Sequence, residues 1–96
     1  MRLELSREAD ADIAEMLHYG AEKFGWAAAE AYAQSFQLRF DRLLAHPQIG
    51  MAHPELKEGL RSIPHGSHRI YYSVDGEVLT VRRILHKSRD VRRWFG

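Results

Sequence analysis

The sequence predicts an α+β fold, built from an N-terminal strand, an antiparallel helical hairpin, a three-stranded antiparallel meander and a short C-terminal helical tail. Three observations carry that expectation. Apolar residues recur at three-and-four spacing between Ala9 and Leu44, the pattern turns extended after Gly59, and Asp75-Gly76 sits between two apolar-rich runs as a hairpin turn would. Ninety-six residues hold one core and no separate linker, so residues 1–96 are read as a single domain.

Arg2 to Leu5 read as the strand, and Ser6 suits the N-cap of the first helix, since its hydroxyl can accept an orphan amide while Glu8 and Asp10 favour the positive helix end. Ala9, Ile13, Met16, Leu17, Gly20 and Phe24 give the buried stripe, which leaves Asp10, Asp12, Glu15 and Glu22 on the surface. Gly25 is the natural stop. The second helix opens at Trp26, presents Ala28, Tyr32, Ser35, Phe36, Phe40, Leu43 and Leu44 inward, and ends before Pro47. Pro47 to Gly59 carry Gly50 and Pro54 without a sustained period and are read as a loop.

Leu60 to Pro64 and His68 to Val74 are short and extended. With Asp75 and Gly76 as the whole turn, Val74 faces Glu77, Tyr72 faces Leu79, Ile70 faces Val81 and His68 faces Arg83. The same register sets Arg69 opposite Arg82, and the like charges invite an external anion. An up-down trace lays the first strand antiparallel to the second. In the tail from Lys87 to Gly96, Val91, Trp94 and Phe95 share one side, with Arg89, Arg92 and Arg93 on the other.

The formal net charge of +1 hides an asymmetry: residues 1–48 carry net −3 and residues 49–96 carry net +4. The basic half favours an anionic partner, while the modest total argues against indiscriminate nucleic-acid coating. Zero cysteines exclude disulfides, thiolate metal sites and a cysteine nucleophile, and suit a cytoplasmic address. No apolar run approaches the roughly 18 to 20 residues of a bilayer span, and the acidic N-terminal residues are unlike a signal peptide.

Arg61, Arg69, Arg82, His86 and Arg89 fall on or near the later strands, so a basic patch with Tyr71 in its middle is expected, able to bind phosphates or carboxylates bidentately. A metal-independent ribonuclease needs a base, an acid and cations for the phosphorane charge, and His86, His68, Tyr71 and the arginines are the residue types for those roles. A histidine at a strand end is more often structural. His65 and His68 flank Gly66 in a tight turn with no closed ligand set, so no metal site and no cofactor are expected. Phosphate loops and a nucleophile elbow are absent.

Leu5-Ser6 with Ala9, Asp12 and Ile13, the Ala31-Tyr32 step, Leu43-Leu44 to His46-Pro47, Gly50, Gly59-Leu60-Arg61, His68-Arg69-Ile70-Tyr71-Tyr72, and Arg83-Ile84-Leu85-His86 through Asp90 together resemble the RelE/ParE toxin superfamily, nearest its ParE-like branch. The resemblance implies a toxin of a type II toxin-antitoxin system, neutralised by a ParD-like antitoxin laid across its surface. ParE-like members poison DNA gyrase; RelE-like members are ribosome-dependent mRNA endoribonucleases; an inactive homologue would serve only in antitoxin binding and autoregulation. Arg69 occupies the place of a phosphate-stabilising arginine of the nucleases. The tail, however, has Trp94 and Phe95 where their acid-base tyrosine would stand, which favours gyrase as target, and Arg61, His86 and Arg89 keep the nuclease route open. The antitoxin- and target-binding set expected from the resemblance and the basic patch is Arg61, Arg69, Tyr71, Arg82, His86, Arg89 and Trp94. Sequence-specific DNA contact is expected only through the antitoxin complex.

Overall fold

A computed structural model describes residues 1–95; Gly96, where the predicted tail ends, lies outside the described residues. The elements run β1 (Arg2–Leu5), α1 (Arg7–Phe24), α2 (Trp26–Ala45), β2 (Met51–Ala52), β3 (Arg61–His65), β4 (His68–Asp75), β5 (Val78–His86) and α3 (Arg92–Phe95). This is the α+β arrangement the sequence predicts, with one addition: the loop after α2 contributes the two-residue strand β2.

The helical hairpin forms for local reasons. Ser6 Oγ accepts the Ala9 N–H at 3.0 Å and caps α1, and Gly25 ends it at φ +92°, in the region where a side chain is strained. Gly20 allows the two helices to approach closely: a Cβ there would lie 3.1 Å from that of Ala29. The inner face of α2 supplies Phe36, Phe40 and Leu43 to a core completed by Ile63, Ile70, Tyr72, Leu79, Val81 and Ile84 of the sheet. Phe24, predicted inside, is 73% exposed at the hairpin tip. It closes α1 beside the Gly25 turn and lies outside the core cluster.

The sheet order is β1-β5-β4-β3-β2, and β1 pairs with β5 in parallel. The antiparallel placement of the first strand against the second is therefore corrected. β2 supplies the reason, because its antiparallel pairing with β3 reverses the chain once more and leaves β1, β3 and β5 running the same way. The hairpin register is corrected too. Asp75 pairs with Val78, so Gly76-Glu77 is the two-residue loop, and Gly76 at φ +62° takes the first central position as a type II′ turn requires. A bulge then falls between the Tyr72↔Val81 and Tyr71↔Arg83 pairs, with Arg82 as the extra residue. Arg69 consequently faces Leu85 rather than Arg82, and the predicted like-charge pair does not form.

Candidate functional site

β1 covers β5 only as far as Val81, after which the chain turns into α1. The exposed backbone edge of β5 is satisfied from that helix. Ser6 N–H donates to the Val81 carbonyl at 2.9 Å, Ser6 Oγ donates to the Arg82 carbonyl at 2.7 Å, and Asp12 Oδ2 accepts the Ile84 N–H at 2.8 Å. Arg83 closes on the same carboxylate with a two-pronged grip, 2.9 Å to Oδ2 and 2.7 Å to Oδ1. That hydrogen bonding, opposed by burial, raises the guanidinium above its ordinary range. Trp94 of α3 lies over Arg83, 4.2 Å from guanidinium carbon to ring centre.

These residues form one wall of a groove of about 640 Å³ between the helical hairpin and the last turn of β5. Met16, Tyr19, Phe24, Ala28 and Ala29 give an apolar wall from the helices, and His68, His86, Arg89 and Trp94 border the opposite side. Glu15 approaches Arg89 at 3.8 Å in the open. Tyr19, Phe24 and Trp26 extend the apolar surface onto the exposed hairpin tip.

Below the groove, Tyr32 organises three histidine-bearing strands. His65, His68 and His86 are successive cross-strand partners on β3, β4 and β5. Tyr32 Oη accepts the Ser67 N–H at 3.0 Å and lies 2.8 Å from His68 Nδ1, the shorter of its two onward contacts, the other being 3.3 Å to the His65 carbonyl. Burial pushes the Tyr32 phenol up, so its hydroxyl keeps its proton. Burial, followed by repulsion from His86, pushes His68 down and so favours its neutral form. His65 is likewise depressed by burial and by Arg39, whose Nε–H donates to Nδ1 at 3.3 Å while Ser35 Oγ sits 2.7 Å from Nε2. Gly66, at φ +54°, allows this packing, since a Cβ would come within 2.6 Å of Tyr32 Oη.

The structure separates the predicted patch. Arg61 pairs with Tyr72 on the helix-facing side, and its Nη1 donates to the Gly50 and Gln48 carbonyls at 2.7 and 3.2 Å, pinning the loop before β2. Arg69 shares the opposite face with Tyr71. Tyr71 is corrected from exposed to buried, at 6% exposure: with Leu60 and Leu85 it forms a second small core, over which Leu56, Val91 and Phe95 pack. Arg82 is exposed at the bulge and donates to Ser73 Oγ at 2.9 Å. Among the described residues no carboxylate lies within 4.0 Å of Arg61, Arg69 or Arg82. Of the seven predicted residues, the groove gathers His86, Arg89 and Trp94.

Two contributors escaped sequence reasoning. The helical pattern places Asp12 on the surface, yet its side chain is 9% exposed and organises the β5 edge; the aromatic stripe makes Tyr32 plain core, yet its hydroxyl contacts the histidine row. A sequence signal for Asp12 existed in its i+3 spacing from the buried Ala9. A serine-histidine-glutamate contact also appears, with His53 Nε2 2.6 Å from Ser62 Oγ and Nδ1 3.4 Å from Glu55. Ser62 is 1% exposed within a paired strand, so this contact serves packing and has no approach for a substrate.

A protein-family model described as the ParE toxin of the type II toxin-antitoxin system parDE matches residues 3–91. The curated Toxin ParE1 of Mycobacterium tuberculosis (strain CDC 1551 / Oshkosh) is 38% identical over 90 residues, covering 93% of this chain and 92% of that one. Toxin ParE1 of Caulobacter vibrioides is 33% identical over 92 residues, covering 96% and 95%. A solved structure described as the chromosomal ParDE TA system from P. aeruginosa superposes with a TM-score of 0.77 at 20% identity, over 90% of this chain and 95% of that one, and shares the fold. No helix among the described residues is long and apolar enough to cross a membrane.

Proposed function

The chain belongs to the ParE toxin family of type II toxin-antitoxin systems, and from that membership we propose that it arrests growth by inhibiting DNA gyrase and is held inactive by an antitoxin segment seated in the groove between the helical hairpin and β5. The observation that carries the choice of target is the dispersal of the nuclease candidates. Arg61 and Arg69 lie on opposite faces of the sheet, the first engaged by backbone carbonyls, and Tyr71 is buried under the tail. Concerted acid-base cleavage needs its base, acid and phosphate-binding cation around one reacting phosphate. The groove brings together His68, His86 and Arg89, and Arg61, Arg69 and Tyr71 do not line it.

The groove supports the antitoxin half of the reading. It is long, open and apolar along the helices, continues onto an exposed aromatic tip and ends at cationic side chains, a form suited to an amphipathic segment that orders on binding. The test is expression of the chain without its antitoxin, following growth, message integrity and gyrase-dependent supercoiling together. Growth arrest with intact messages and lost supercoiling is expected. Messages cut on the ribosome, with supercoiling preserved, would transfer the chain to the endoribonuclease class.

A further inference from the structure

Within the proposed antitoxin groove, and resting on that reading, we propose that the cross-strand pair His68–His86 is a receptor for one carboxylate, an aspartate or glutamate side chain of the antitoxin segment. The two residues are directly paired between β4 and β5, and their rings meet edge to face with centres 5.4 Å apart. Both border the groove.

The hydrogen bonds assign what each ring offers. His86 Nδ1 accepts the Ser88 N–H at 3.1 Å and lies 2.8 Å from Ser88 Oγ, which puts the proton of the neutral ring on Nε2. The phenol proton of Tyr32 is assigned to His68 Nδ1, because that contact at 2.8 Å is shorter than the 3.3 Å from Oη to the His65 carbonyl, and the assignment leaves the His68 proton on Nε2. Each Nε2–H is then a donor, and no hydrogen bond among the described residues uses either one. Two donors on neighbouring rings match the two oxygens of a carboxylate.

The chain's own acids do not fill this role. Histidines paired with carboxylates among the described residues are His18 and His53. Asp12, close enough to influence His68, has both oxygens committed to Arg83 and Ile84, and Glu15 leans toward Arg89. Those same two acids favour a carboxylate over a phosphate. A single negative charge is met by the two ring N–H donors and by nearby Arg89, whereas a phosphate dianion would meet Asp12 and Glu15 across the groove at greater cost.

The probe is acetate, titrated into the full chain while the ring Cε1–H signals of the histidines are followed by NMR, with inorganic phosphate and a short oligoribonucleotide as parallel titrants. Acetate should move the His68 and His86 signals together and saturably, leave His18 and His46 nearly still, and bind about fivefold more weakly to H86Q, read at His68. His86 is exposed, so this variant keeps the fold. The proposal is overturned if His68 and His86 respond no more than His18 and His46, if H86Q binds acetate as the parent does, or if phosphate or the oligoribonucleotide outcompetes acetate at this pair. Acetate requires no antitoxin, so failure here leaves the groove assignment standing, and failure of that assignment appears separately in antitoxin-binding measurements.

Discussion

Replacing Asp12 by alanine should produce a large loss of stability. The carboxylate is 9% exposed and the Arg83 side chain 15%, and the variant strips two charge-assisted bonds of 2.9 and 2.7 Å from the guanidinium and one of 2.8 Å from the Ile84 amide. Breaking a buried pair from one side costs about 3–5 kcal/mol, and an unpaired strand amide adds about 1 kcal/mol. The residual exposure of Arg83 lets water return, and its stacking on Trp94 survives, so a net loss of about 3 kcal/mol is expected. For a domain of this size that is about 12 °C or more in Tm, measured by circular dichroism or urea titration. Adding Arg83→Met to the alanine variant should recover part of the loss, because the stranded charge is then gone. A loss under about 1 kcal/mol in Asp12→Ala, or simple additivity of the two substitutions, would refute the assignment of this pair as the clamp on the β5 edge.

Gly50→Ala should cost about 2 kcal/mol, since its Cβ would lie 2.6 Å from Tyr72 Oη and 2.7 Å from Cε1; a urea midpoint equal to the parent's would show that the loop yields without strain. The histidines predict a pH dependence. His65 and His68 are depressed in the fold while an unfolded histidine titrates near pH 6.5, so the unfolded chain binds more protons in that window, and their stabilising contribution above about pH 6.5 is lost on acidification through the folded-state values. Urea midpoints at pH 7.5 and 5.5 should therefore differ more for the parent than for a His65→Gln/His68→Gln double variant; equal differences would contradict this.

How much was legible in the sequence follows how local each signal is. Ser6 and Gly25 fix the ends of α1 within one turn, and the stripe from Phe36 to Leu43 identifies the inner face of α2. β2 was invisible because Met51 and Ala52 are both exposed and two residues carry no period. The turn was displaced by one residue because Asp-Gly favours a type I′ loop, whereas tertiary pairing selected Gly76-Glu77, and no composition signal marks the bulge at Arg82. Those two shifts reorganised the expected basic patch. The tail shows the same limit: Val91 and Phe95 cover Tyr71 as their amphipathic spacing suggests, while Trp94 turns away to Arg83 and the groove. The Asp12–Arg83 clamp joins residues 71 positions apart, beyond any sequence period.

Seating of the antitoxin in the groove beside the helical hairpin is tested by Ala28→Trp. Ala28 is exposed on α2 and borders the groove, so the indole should fill the channel without entering the core. Titration of the cognate antitoxin against this variant should show affinity reduced by about a hundredfold or more, with the circular dichroism spectrum unchanged, while Arg82→Glu on the bulge should bind as the parent does. Parent-like affinity for Ala28→Trp, with loss confined to Arg82→Glu, would instead place the antitoxin on the other side of the sheet.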